Sequence, residues 1–236
     1  KEGEIYSWFS NKKLAHIKSI TGDQQEAMLF LEKEYKKLKD HDFNIFYDLA
    51  NFYKGMNLHE KSIKYYSLAL EALPENHSLK PKLLYKRGSS YERLGLWNEF
   101  EKDLELSLKL FPEQPYVLNY LAYSWLDKKI NLHKSLQMLK KANYLQENDP
   151  YIIDSLGWAY YLLKNFSEAE KLLKTAVQLM PTDPIVNDHY ADILWQLNKN
   201  LQARYLWNQI LNFDEIEDDL KKKINHKLIH GITEKL

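Results

Sequence analysis

A repeated segment, residues 150–183, constrains the fold of this chain more than any other feature. Its apolar and small residues are spaced as in two helices that pack against each other. Gly157 and Ala169 are predicted to face each other across this hairpin, because a side chain larger than methyl would push the helices apart. Pro181 ends the second helix, since proline cannot continue it. Such a hairpin buries its apolar face only against a copy of itself, so the segment predicts a scaffold of stacked repeats.

The same spacing of packing residues recurs on both sides of this segment. It predicts an array over residues 1–217 that contains six repeats, at 8–42, 43–76, 81–114, 115–149, 150–183 and 184–217. The remaining stretch, 218–236, has acidic residues first and lysines later, an order that the helix dipole favours. It therefore predicts a polar helix that caps the end of the array.

Composition limits the classes of function. Lys plus Arg (33) equals Asp plus Glu (33), so the chain has no net field to hold a polyanion, and no nucleic-acid partner is predicted. Cysteine is absent, which excludes disulfides, zinc-thiolate sites and thiol nucleophiles. No apolar run reaches the roughly 20 residues that span a bilayer.

Catalytic patterns find little support. The histidines are scattered over different repeats, and His189, beside Asp188, has no nucleophile near it in sequence, whereas a triad needs all three groups within hydrogen-bond reach. His226 and His230 are spaced to share a metal ion, but two ligands make an incomplete site. No glycine-rich phosphate loop is present. We therefore predict no enzyme activity, no cofactor and no metal site.

The repeat resembles the tetratricopeptide repeat (TPR), whose packing positions are matched by Leu156, Gly157, Tyr160, Phe166, Ala169, Leu173, Ala176 and Pro181. This resemblance implies an all-α fold, a right-handed TPR superhelix, or α-solenoid, of about six helical hairpins with a C-terminal capping helix. In such an array the first helix of each hairpin lines the concave face.

The concave positions of the first helices form the predicted binding wall. They are rich in rings, amides and carboxylates: Tyr47, Asn51, Tyr85, Tyr116, Asn119, Tyr123, Tyr151, Asp154, Trp158, Tyr161, Asp188, Asp192 and Trp195. Exposed rings anchor peptides and partner helices. Packing between hairpins is an equal alternative for Tyr151, Trp158 and Trp195. The three aspartates are expected to face solvent or a ligand, because an unpaired buried ion costs several kcal/mol.

This wall suits an extended or helical protein segment that carries apolar anchors and some Lys or Arg. The rings would take the anchors, the carboxylates would select the charge, and Asn119 would hold the ligand backbone. Chaperone-binding TPR domains instead grip a C-terminal carboxylate with basic and amide residues. Here the corresponding positions are Lys12, His16, Asp48, Lys82 and Lys86. Asp48 would repel the carboxylate, so that clamp is not predicted.

Beyond the TPR pattern, residues 43–211 resemble TPR proteins of alphaproteobacterial envelopes. The residues that carry this resemblance are Asn119, Asp154, Ser155, Asn187, Asp188, His189 and Arg204. More distantly, the chain is similar to the TPR lipoprotein adaptor of the carboxyl-terminal processing protease.

The envelope resemblance implies a non-catalytic scaffold or adaptor, periplasmic or associated with the outer membrane, that binds a protein or peptide partner, a protease and its substrates included. The alternative is a structural subunit of an envelope assembly or secretion complex. Because the first residue is Lys1 rather than Met, we expect the targeting signal upstream, with membrane contact only through that missing N-terminal anchor.

Overall fold

In the computed structural model, residues 2–38, 41–214 and 216–233 are described, and within them the chain is all-helical, as predicted. Twelve helices form six successive hairpins, and a thirteenth follows them. The helices are α1 Glu2–Thr21, α2 Gln24–Lys37, α3 Phe43–Gly55, α4 His59–Glu71, α5 Lys80–Arg93, α6 Trp97–Leu110, α7 Pro115–Asp127, α8 Leu132–Leu145, α9 Pro150–Leu162, α10 Phe166–Leu179, α11 Pro184–Gln196, α12 Asn200–Ile210 and α13 Asp218–His230. In the part of the chain that is described, no helix has both the length and the apolar character needed to cross a membrane.

Local sequence signals fix where α9 and α11 begin. The side chain of Asp149 accepts hydrogen bonds from the backbone amides two and three residues later, at 3.0 and 3.2 Å. Asp183 does the same at the start of α11, with both bonds at 3.0 Å. Pro150 and Pro184 follow in the first turn, where a missing amide hydrogen costs nothing.

The chain divides into two compact units, Lys1–Pro112 and Glu113–Leu236. The first unit contains α1 to α6, and its buried core includes Leu31, Leu49 and Tyr53. The second contains α7 to α13 and has one core cluster among α7 to α11 and another among α11, α12 and α13. Each unit is therefore a stack of hairpins whose apolar faces are buried between neighbours.

The close approach at Gly157 involves different residues from those predicted. A Cβ placed there would lie 2.8 Å from Cγ and 2.9 Å from Cδ2 of Leu173, and 3.2 Å from Cβ of Leu172. The nearest atoms therefore belong to these leucines of α10 rather than to Ala169. Because Leu173 is fully buried, it has no free space into which it could move.

Replacing Gly157 with alanine is expected to lower the free energy of unfolding by about 1–3 kcal/mol, because the added methyl overpacks the α9–α10 hairpin. Urea denaturation measures this change. Gly55→Ala is the matched control, since a Cβ at Gly55 meets nothing within 4 Å. The control should be neutral or stabilising by up to about 1 kcal/mol. Equal stability of the two variants would contradict this packing.

Candidate functional site

The second unit carries a cavity of about 950 Å³ between the inner helices α7, α9 and α11 and the last helix, α13. We call it the inner cavity. Its lining combines rings with charged groups and includes Tyr123, Leu126, Asp127, Trp158, Tyr161, Ile185, Asp188, His189, Asp192, Leu220, Lys223 and Lys227. The structure thus brings together five residues of the predicted wall: Tyr123, Trp158, Tyr161, Asp188 and Asp192. A cavity of this size and mixed polarity can hold a short segment of another protein.

Other predicted wall residues of this unit lie outside the inner cavity. The rings of Tyr116 and Tyr151 are 52% and 57% exposed, so both remain available to a ligand on the surface. Asn119 is half-buried, and its Oδ1 is buried without a hydrogen-bond partner among the described residues. Its predicted role toward a ligand backbone stays a prediction.

Trp195 belongs to the core between α11, α12 and α13. A Cβ on Gly231 would lie only 2.1 Å from Cζ2 of the Trp195 indole, so this ring packs directly on the backbone that follows α13. It also packs against the cluster that contains Trp207 and Ile224. Of the two interpretations left open for this ring, packing is therefore the one that the geometry favours.

Three predicted wall residues belong to the first unit. Asn51 Oδ1 accepts hydrogen bonds from Tyr66 Oη at 3.0 Å and from Lys86 Nζ at 2.7 Å. Tyr47 and Tyr85 are half-buried on α3 and α5. Asn51 is therefore already engaged by neighbouring side chains of its own unit.

An aspartate–histidine pair lies behind the rings of the inner cavity. The Nδ1 of His189 on α11 lies 3.0 and 2.9 Å from the two carboxylate oxygens of Asp154 on α9, to which it donates its hydrogen. Trp158 stacks on the His189 ring, with centroids 4.1 Å apart, and on Tyr161, at 4.5 Å. Because two neighbouring rings stack on it, the Trp158 indole is held in place as part of the wall.

A second charged contact joins α13 to α11. Lys227 Nζ lies 2.8 Å from both carboxylate oxygens of Asp188 and 2.7 and 2.8 Å from those of Asp192. Trp207 also donates its Nε1 hydrogen to Asp188 Oδ1, at 3.0 Å. Two buried carboxylates therefore share one ammonium group.

We call Asp154, Asp188, His189, Asp192 and Lys227 the charged cluster. It contains three carboxylates and two groups that can carry positive charge, so it has a surplus negative charge when all are ionised. Burial raises the pKa of Asp192 to about 7, and the nearby Asp188 adds to the increase while Lys227 opposes it. Burial alone would lower the pKa of His189, but the charge and hydrogen bond of Asp154, together with the charges of Asp188 and Asp192, outweigh it, so this pKa is raised. Protons therefore take up part of the surplus charge near neutral pH.

The burial of the aspartates corrects one expectation from sequence. Asp154, Asp188 and Asp192 are only 5%, 8% and 5% exposed, so none of them faces open solvent. Asp154 does not line the inner cavity and is paired with His189. The other two line the cavity but already contact Lys227. Partners within the chain therefore compensate the cost of burying these carboxylates. The sequence argument had expected solvent or a ligand to do so.

Stability is expected to fall as the pH rises from about 4 to about 7. The pKa of Asp192 is near 7 in the folded chain but 3.8 when unperturbed, so unfolding in this range releases a proton. His189 acts with the same sign, because its raised pKa stabilises the fold below about 6.5 and that contribution is lost as pH rises through the folded value. In Asp192→Asn, the fall in the free energy of unfolding across this pH window should be smaller by about 1–3 kcal/mol.

Urea denaturation at a series of pH values measures this effect. Asp219→Asn is the control, because Asp219 is exposed on α13 and should leave the slope unchanged. An identical pH slope for Asp192→Asn and the unmodified chain would contradict the assignment.

The charged cluster can hold and exchange protons. Among the described residues, the hydrogen bonds of His189 go to Asp154, and no hydroxyl nucleophile is bonded to the ring. In the same ranges no three His, Asp, Glu or Cys side chains are grouped so that they could hold a metal ion. What this arrangement offers is an aromatic cavity with hydrogen-bonding and charged groups at its wall.

Comparison with known proteins identifies the hairpins. Residues 150–183 and 43–76 match family models described as tetratricopeptide repeat. The matched segments are the α9–α10 and α3–α4 hairpins. A TPR repeat-containing protein of Pseudomonas aeruginosa is 28% identical over 160 residues, which is 68% of this chain. The matched region spans 26% of the length of that relative.

Solved TPR structures share the fold. A tetratricopeptide repeat protein from Parabacteroides merdae superposes with a TM-score of 0.74 at 19% identity, covering 95% of this chain and 87% of that one. The APC/C hetero-tetramer Cut9–Hcn1 contains a chain with a TM-score of 0.71 at 18% identity, covering 92% of this chain and 42% of that one. The fold is therefore a TPR solenoid.

The sequence argument missed the part that Lys227 takes in the wall and the pairing of His189 with Asp154. The spacing of these residues along the chain was a signal for both contacts. His189 follows Asp154 by 35 residues, and Lys227 follows Asp192 by the same interval. The last helix thus supplies a side chain to the wall as the first helix of a further repeat would.

Proposed function

We propose that this TPR array is a non-catalytic scaffold that binds a segment of a partner protein in its inner cavity. The observation that carries the proposal is the cavity itself, which opens between the inner helices of successive repeats and has rings and charged groups in its lining. Rings bury a large area at small entropic cost, and charged groups at the wall select the partner and its register.

The proposed ligand is an extended or helical segment with apolar anchors. Tyr123 and the exposed Ile185 are the groups that would receive such anchors, because both line the inner cavity. The surplus negative charge of the charged cluster favours a partner segment that carries Lys or Arg near those anchors.

The finer proposal is that the protein is an adaptor of the bacterial periplasm or cell envelope, and that its partners include a protease and the substrates delivered to it. Its support is the sequence resemblance of residues 43–211 to envelope TPR proteins. The alternative is a structural subunit of an envelope assembly or secretion complex.

Affinity capture from native membranes and soluble fractions, followed by quantitative mass spectrometry, tests this proposal. An adaptor should retain one partner in constant proportion and lose a second partner on dilution. A structural subunit should instead retain all its partners in fixed proportion. Recovery of only cytosolic chaperones or RNA would contradict the envelope proposal.

A further inference from the structure

Two lysines on the inner helices of the first unit have no carboxylate to balance their charge. Lys54 on α3 hydrogen bonds to the hydroxyl of Ser89 on α5, and Lys86 Nζ on α5 donates to Asn51 Oδ1 at 2.7 Å. Both acceptors are neutral. Within residues 2–38, 41–214 and 216–233, neither ammonium forms a salt bridge.

Neighbouring groups hold these two lysines in position. Ser89 Oγ donates to the backbone oxygen of Lys86 at 2.8 Å, which leaves its lone pairs for Lys54. Asn51 Nδ2 donates to the backbone oxygen of Tyr47 at 2.7 Å, and this keeps Oδ1 turned toward Lys86. The Lys86 ammonium also lies 5.6 Å from the centroid of the Tyr47 ring. The contacts orient both ammonium groups without neutralising them.

Arg93, a third cation near Lys54, pairs with Glu92 at 3.6 Å, so the unbalanced positive charge is that of Lys54 and Lys86. Burial lowers the pKa of Lys54 to about 8, and the positive charges of Lys86 and Arg93 lower it further. Burial also lowers the pKa of His59 on α4, with Arg93 and Lys54 adding to the decrease and Glu92 opposing it. Holding partly buried positive charges together without a counterion is unfavourable, and an incoming anion would relieve it.

We propose that the surface around Lys54 and Lys86 is a second binding site, and that it takes a carboxylate group of a partner protein segment. The two ammonium groups would bind the carboxylate oxygens, and the Tyr47 ring would pack against the aliphatic part of the same segment. We call it the Lys54–Lys86 site. It lies in the first unit and is independent of the inner cavity.

This site shares only Lys86 with the carboxylate clamp considered from sequence. In that set of positions, Lys12 Nζ lies 2.7 Å from Asp48 Oδ1, and Trp8 donates its Nε1 hydrogen to Asp48 Oδ2 at 3.1 Å. The Lys12 charge is thus already neutralised. The uncompensated charge belongs to Lys54, which is outside that set, and to Lys86, the one residue that the two sets share; they lie on the inner helices of the second and third hairpins. A nucleic acid is a poorer match, because the chain carries 33 basic and 33 acidic residues and has no net positive charge.

The test uses the whole chain, labelled with ¹³C in its lysine side chains, and an acetylated tetraglutamate peptide as the probe. Titration should shift the ε-carbon resonances of Lys54 and Lys86 in a saturable way. Lys54→Met and Lys86→Met should each lower the affinity for the peptide at least tenfold. Lys102→Met, at an exposed lysine of α6, is the control and should leave the affinity unchanged.

Two further readouts separate binding from a structural role. Lys54→Met should keep or raise the melting temperature, because it removes an uncompensated charge, whereas a lysine that stabilises the fold would lower it on removal. Peptide affinity should also fall as the pH rises above about 8, where Lys54 loses its proton. Unchanged affinity in Lys54→Met, or inorganic phosphate that saturates the same resonances at equal concentration, would overturn the proposal. Neither result bears on the inner cavity.

Discussion

Replacing Lys227 with methionine is expected to lower the free energy of unfolding by about 3–5 kcal/mol. The ammonium of Lys227 contacts the carboxylates of Asp188 and Asp192, which are almost fully buried. Without it, two negative charges remain close together in an apolar environment, and at least one must take up a proton. Urea denaturation at neutral pH measures the loss.

Two controls show whether the effect comes from the charged contact. Lys223→Met changes an exposed lysine of the same helix, and the free energy of unfolding should stay within about 0.5 kcal/mol. Adding Asp188→Asn and Asp192→Asn to Lys227→Met should recover most of the lost stability, because no buried charge is then left unpaired. A loss in Lys227→Met as small as that in Lys223→Met would show that the contact contributes nothing.

Replacing Trp158 with alanine is expected to lower the free energy of unfolding by about 3 kcal/mol. The indole stacks on both His189 and Tyr161 and packs against the core of the second unit. Its removal opens a void next to the buried pair of His189 and Asp154. Thermal and urea unfolding should both report the change.

Tyr151→Ala is the matched control on the same helix. This ring is 57% exposed, so its removal should change stability by no more than about 0.5 kcal/mol. Sequence left packing and ligand binding as equal possibilities for Trp158 and Tyr151. If Trp158→Ala costs no more stability than Tyr151→Ala, the indole is a free ligand anchor and the packing interpretation is wrong.

The fold could be predicted because each repeat carries its own packing signals. Gly157 marks the close approach of the two helices of its hairpin, and aspartate followed by proline marks the start of α9 and of α11. These signals are local, and stacking copies of one hairpin leaves little freedom in the arrangement. The sequence argument predicted Ala169 opposite Gly157, but the nearest atoms belong to Leu172 and Leu173, because the contact depends on the relative rotation of the two helices.

The candidate site could be predicted only in part. Equivalent positions on successive inner helices placed Tyr123, Trp158 and Asp188 on one wall, as the periodicity required. The contacts between inner helices join residues that are 35 positions apart, slightly more than the length of one repeat. The examples are Asp154 with His189, Lys54 with Ser89, and Asp192 with Lys227. This interval pairs neighbouring positions of two inner helices.

The burial of the aspartates could not be predicted from their positions alone. The free energy of a buried carboxylate depends on whether a cation reaches it, and here that cation lies on α13, which the sequence argument treated only as a polar cap. The helix has acidic residues in its first turn and basic residues in its last turn, which is the order that the helix dipole favours. They did not indicate that Lys227 faces inward while Lys223 is exposed, since that depends on how Ile224 and Trp195 anchor the helix.

The central claim, that the inner cavity binds a partner segment, is tested most directly by two single substitutions. Ile185 and Leu179 are each 48% exposed, but only Ile185 is among the residues that line the inner cavity. The partner recovered by affinity capture is titrated against Ile185→Asn, Leu179→Asn and the unmodified chain by fluorescence anisotropy. We expect Ile185→Asn to weaken binding about tenfold and Leu179→Asn to leave it unchanged. Equal affinities for all three chains would contradict the claim.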